Sequence, residues 1–100
     1  MVIKINLDGV GKPPGKLADV ELHFEDGPLA GLKLIGFAIW QQRTGGGRTV
    51  TFPARQYAIN GERRSFSLLR PVVDVHASTR LRDLIVGAYD EYEAAGTRTV

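Results

Sequence analysis

The sequence predicts an α+β domain: an antiparallel β-sheet of five to six strands arranged as hairpins or a meander, with one C-terminal amphipathic helix packed on it. Three observations predict this. Several segments alternate apolar and polar residues with period two, Asn60-Gly61 marks a tight hairpin, and from Ser78 the period becomes that of a helix. Strands first and helix last is the α+β order, with the helix laid on one face of the sheet. The 100 residues leave room for one domain only. Folding at that size removes roughly two thirds of the surface the unfolded chain exposes, so a dimer interface is a natural supplement to the core.

Val2 to Leu7 alternates Ile3, Ile5 and Leu7 against Lys4 and Asn6, as a strand does. Gly11-Lys12-Pro13-Pro14-Gly15 cannot continue either regular element, so residues 1–15 are an added strand and loop. From Leu17 to Glu25, Ala18, Val20, Leu22 and Phe24 fall on one face, and Asp19, Glu21, His23 and Glu25 on the other. That is a strand with one core face and one wet face. Leu32 to Trp40 is apolar on both faces apart from Lys33, which predicts a central strand, with Gly36 at a bulge or a close backbone approach. Thr44-Gly45-Gly46-Gly47 is a loop, Arg48 to Phe52 alternates again, and Pro53 interrupts pairing.

Asn60-Gly61 suits a type I′ turn because both residues tolerate positive φ. A two-residue loop sets Ile59 opposite Glu62, Tyr57 opposite Arg64 and Arg55 opposite Phe66, and Pro71 closes the second strand. Leu81, Leu84, Ile85, Ala88, Tyr89 and Tyr92 then form one helical stripe. Ser78 or Thr79 is the expected N-cap and Gly96 the expected terminator, which leaves residues 97–100 as a tail.

Net charge is +2, but it is unevenly placed. Lys33, Arg43, Arg48, Arg55, Arg63, Arg64, Arg70, Arg80 and Arg82 face only Glu62 and Asp74 over residues 33–82, a block of +7 between acidic ends. Arginine suits planar, bidentate contacts with phosphate or carboxylate. The chain has no cysteine, which excludes a disulfide scaffold, a thiolate zinc site and a cysteine nucleophile. No apolar run approaches the roughly 20 residues of a membrane span, and the N-terminus lacks the apolar core of a signal peptide. A cytoplasmic protein without membrane contact is expected.

Asp74, His76 and Ser78 are the residue types of a hydrolase triad. On a strand, however, same-face neighbours lie roughly 6.5–7 Å apart, too far for a nucleophile and its base. Asp19, Glu21, His23 and Glu25 read as a solvated face rather than a metal site. Gly9-Val10-Gly11-Lys12-Pro13 lacks the Ser or Thr and the spacing of a phosphate loop. No enzyme, cofactor, metal or small-molecule substrate is expected.

A nucleic-acid reading has more behind it. In the hairpin register Arg55, Tyr57 and Arg64 share a face, an aromatic ring flanked by two guanidiniums that could stack a base and hold phosphates. A simple cation–π pair is the structural alternative. Arg80 and Arg82 in the helix's first turn, and Asp90, Glu91 and Glu93 near its end, run against the helix dipole, each at a cost of about 0.3–1 kcal/mol. Asp83 at i+3 offers Arg80 a partner.

From about Lys16 to Tyr92 the chain resembles the SpoVG family, the stage V sporulation protein G or septation-regulator type. The resemblance lies in an ordered series: Leu34-Ile35-Gly36-Phe37-Ala38-Ile39-Trp40, Phe52-Pro53-Ala54-Arg55, Asn60-Gly61-Glu62 with Arg64, Pro71, Ser78-Thr79-Arg80, and Tyr89-Asp90-Glu91-Tyr92. It implies a β-rich domain with one long helix, a homodimer, and DNA or RNA binding in bacterial gene regulation. The family's basic positions fall on Arg55, Arg64 and Arg80; Gln56 and Arg63 depart from its pattern. The expected contact residues are Arg48, Arg55, Tyr57, Arg63, Arg64, Arg80 and Arg82, on an arginine-rich sheet face and the helix N-terminus. The alternative is a protein–protein assembly module in which these arginines meet an acidic partner.

Overall fold

A computed structural model describes residues 1–98. Four strands, β1 (Val2–Asn6), β2 (Lys16–His23), β3 (Lys33–Gln41) and β4 (Arg48–Thr51), form an antiparallel meander in sequence order. A separate two-stranded ribbon, β5 (Ala54–Ile59) and β6 (Glu62–Ser67), follows, and then the helix α1 (Ala77–Arg98). The α+β class is as the sequence predicts. The six strands, however, divide into a sheet of four and a ribbon of two instead of one sheet.

The division occurs at Pro53, which is buried between β4 and β5. Proline has no N–H for a ladder and ends pairing along β4. Its side chain presses on the β3 backbone at Gly36, where a Cβ would lie 3.1 Å from that of Pro53. Gly36 has φ +106°, and it lies in a bulge: Val20 faces Phe37 while Leu22 faces Leu34, so β3 spends one residue more than β2 there. Both expectations for Gly36 are met.

The core lies between the inner face of the meander and α1. Ala18, Val20 and Leu22 of β2, Phe37 and Ile39 of β3 and Val50 of β4 meet Ile85 and Tyr89 of the helix. Ile3, Ile5, Leu81 and Val86 pack around them half-buried. The helical stripe is narrower than its sequence pattern: Val86 flanks Ile85, while Leu84 and Tyr92 face solvent. The contact face is thus turned about one position from the predicted stripe.

The helix limits also differ. α1 starts at Ala77, one residue before the expected cap. Asp74 supplies the turn instead: its carbonyl accepts the Ala77 N–H at 3.0 Å and its carboxylate accepts the His76 N–H at 2.9 Å. Gly96 lies inside the helix, since a lone glycine lowers helix propensity by only about 1 kcal/mol. Of the expected tail 97–100, residues 97–98 are helical and 99–100 lie outside the described residues. β6 stops at Ser67, short of Pro71: Leu68, next in register, still donates its N–H to the Pro53 carbonyl at 2.9 Å, but Pro53 has no N–H to return and the ladder ends there.

Candidate nucleic-acid interface

Asn60 and Gly61 take φ of +52° and +82°, the paired positive values of a type I′ turn, and this sets the ribbon register. Arg55 lies opposite Phe66, Tyr57 opposite Arg64 and Ile59 opposite Glu62, as the sequence predicts. One face therefore carries Arg55, Tyr57, Ile59, Glu62, Arg64 and Phe66. The other carries Gln56 opposite Ser65 and Ala58 opposite Arg63. Every residue of β5 is exposed, as are all of β6 but Ser67. Six-residue strands make the ribbon roughly 20 Å long.

The aromatic face is organised internally. The Tyr57 and Phe66 rings meet edge-to-face at 6.1 Å, and the Arg70 guanidinium stands 5.7 Å over Phe66. Arg64 is held by Glu62 at 3.0 Å in an exposed pair. Arg55 and Arg63 have no carboxylate within ion-pair distance among the described residues. Arg63, Arg64, Gln56 and Ser65 line an open concavity of about 290 Å³. At the ribbon's base Arg82 lies 5.9 Å over the Phe52 ring. Gln56, Ser65 and Arg70 were missed as candidates; the hairpin register already pairs the first two, whereas Arg70 over Phe66 required the bend after Ser67.

Arg80 and Arg48 are engaged elsewhere. Arg80 bonds the Asp74 carboxylate at 2.7 Å, not the expected Asp83. Asp74 thereby places its own negative charge at the start of α1, and the Arg80 hydrogen bond, then that from His76, hold its carboxyl below the usual range. Arg48 turns to the helix, bonding Asp90 at 2.8 Å and Glu93 at 2.9 Å with its guanidinium 5.0 Å from the Tyr89 ring. Burial, and next the Glu93 charge, push the Tyr89 phenol up.

The other clusters are satisfied within the fold. Asp19 pairs with Lys16 at 2.6 Å. Glu21 takes the His23 ring at 2.9 Å and Lys33 at 3.4 Å, and these, His23 first, lower its pKa. Among the described residues no group of three or more His, Asp or Glu side chains converges as metal ligands would. Asp74, His76 and Ser78 lie across a turn and the first helical turn, not on a strand. No helix among the described residues is long and apolar enough to cross a membrane. Comparison with family models, with curated proteins and with solved structures returns no match.

Proposed function

We propose that the protein is a non-enzymatic, dimeric regulator of the SpoVG type that binds DNA or RNA through the β5–β6 ribbon. The observation that carries this reading is the ribbon itself. It is exposed along both strands, Arg55 and Arg63 have no carboxylate partner among the described residues, and Arg63, Arg64, Gln56 and Ser65 surround one concavity. A two-stranded ribbon fits the major groove of B-DNA. Guanidiniums suit phosphate oxygens or guanine edges, and an amide such as that of Gln56 can address adenine. Arg70 and Arg82 extend the positive charge to the ribbon's base. Arg48 and Arg80, each held by carboxylates, stand outside this interface.

Salt-titrated binding to mixed DNA and RNA oligonucleotides tests the reading. Affinity should fall steeply with salt, and Arg63→Ala should reduce the log–log slope by about one. No binding by the wild type at low salt overturns it. A protein partner that survives nuclease treatment would then favour the assembly-module alternative.

A further inference from the structure

We propose that a second copy of this chain covers the aromatic face of the β5–β6 ribbon, the ribbon of each copy lying on the outer stripe of the other's α1 around Leu84. This rests on the dimeric part of the reading above and not on nucleic-acid binding.

Surface area makes the case for a large occupant. The chain exposes 7491 Å², about 1,900 Å² more than the roughly 5,600 Å² expected of a compact monomer of 10.9 kDa. A standard interface takes about 800 Å² from each partner. The surplus goes with shape: the radius of gyration is 15.2 Å, against about 13 Å for a compact chain of this length. Part of the exposed apolar surface lies on the ribbon and the segment after it. Tyr57, Ile59 and Phe66 are 40–49% exposed on one ribbon face, and Val72 and Val73 are more than nine-tenths exposed. A two-stranded ribbon by itself is marginally stable in water, so cover for one face is what would hold this one.

Charge selects the surface that provides that cover. The aromatic face is net positive, with Arg55, Arg64 and Arg70 against Glu62, so setting two such faces against each other would bring like charge together. The outer stripe of α1 has the opposite sign. Leu84 is exposed there beside an apolar hollow that it shares with Arg80 and Asp83, and Glu91 lies two turns further on. Asp83 and Glu91 enter no ion pair among the described residues, which matches the uncompensated Arg55. Mutual exchange of ribbons gives a closed two-fold dimer. It also leaves the Gln56, Arg63 and Ser65 face of each ribbon outward, where nucleic acid can reach it.

The test is solution mass by light scattering from low to high micromolar concentration, in the absence of nucleic acid. The wild type should have twice the 10.9 kDa chain mass. Phe66→Asp and Leu84→Asp should each raise the dimer dissociation constant about thirtyfold or more, as loss of an interface hot spot does. Ile35→Asp, which alters an exposed apolar residue off both surfaces, should leave it unchanged. Helical circular dichroism confirms that each variant is folded. In the wild type, hydrogen exchange of the β5 and β6 amides should slow as concentration rises. A wild type that stays monomeric, a dimer indifferent to either Asp substitution at the interface, or ribbon exchange independent of concentration overturns the proposal. Oligonucleotide binding by a monomeric wild type would overturn it while leaving the nucleic-acid reading intact.

Discussion

Arg48→Ala separates a structural arginine from a binding one. In the folded chain its guanidinium bridges two carboxylates one helical turn apart, Asp90 at 2.8 Å and Glu93 at 2.9 Å, and its side chain is only 25% exposed. Exposed ion pairs contribute about 0.2–1 kcal/mol each, and a guanidinium 5.0 Å from the Tyr89 ring adds about 0.5–1 kcal/mol. Among the described residues the buried Nε of Arg48 has no hydrogen-bond partner, which offsets part of that sum. The net loss should be about 1–2 kcal/mol, or roughly 5–15 °C in Tm for a chain of this size. Thermal unfolding followed by circular dichroism measures it, with Arg64→Ala as the comparison. Arg64 and Glu62 form an exposed pair on the ribbon, so that change should cost about 0.5 kcal/mol or less. Oligonucleotide affinity should respond in the opposite order, falling for Arg64→Ala and holding for Arg48→Ala. A Tm loss at Arg48 no greater than that at Arg64, or a loss of binding at Arg48, refutes the assignment.

Gly36→Ala should destabilise by about 1–3 kcal/mol, because φ of +106° is strained for an L side chain and the new Cβ meets Pro53 at 3.1 Å. A shift in the urea midpoint measures this, and an unchanged midpoint would contradict both the backbone strain and the Pro53 contact. Asp74→Asn should flatten the acid limb of the stability profile. The folded-state pKa of Asp74 lies below its unfolded value, so its contribution is present at neutral pH and is lost as pH falls below about 4. Helical ellipticity against pH reads this out; an identical acid limb in the variant contradicts it.

The parts of the fold that depend on local chemistry are legible in the sequence. Alternation placed Ala18, Val20 and Leu22 in the core, and Asn60-Gly61 placed every cross-strand pair of the ribbon. The parts that depend on contacts distant in sequence are not legible. Nothing local says that Pro53 lies on Gly36, so the separation of the ribbon from the sheet could not be read from periodicity. Nor can a helical stripe disclose which edge its sheet covers: Leu84 and Val86 flank Ile85 equally, and packing chose Val86. Alternation places Asp74 on a strand face with His76 and Ser78; its work as cap and as the Arg80 partner required the bend from Asp74 to Ala77.

The helix charges show how such distant contacts change a functional argument. Basic residues at the start of α1 and acidic ones at its end oppose the dipole, and a local rule broken without compensation is a pointer to function. Here the compensation exists. Asp74 sets a negative charge at the N-terminus beside Arg80, and Arg48 sets a positive one against Asp90 and Glu93. The helix therefore loses its claim as an anion site. The same reasoning strengthens the claim of the ribbon. Arg55 and Arg63 stand on exposed strands without a carboxylate partner among the described residues, so no intramolecular contact accounts for their charge. An uncompensated arginine costs little in water, so exposure by itself is no argument. Two of them on opposite faces of one exposed ribbon, one beside aromatic rings and one beside Gln56 and Ser65, call for two different occupants. The acidic helix of a second copy suits the first face in charge and apolar character, and a phosphate backbone suits the second.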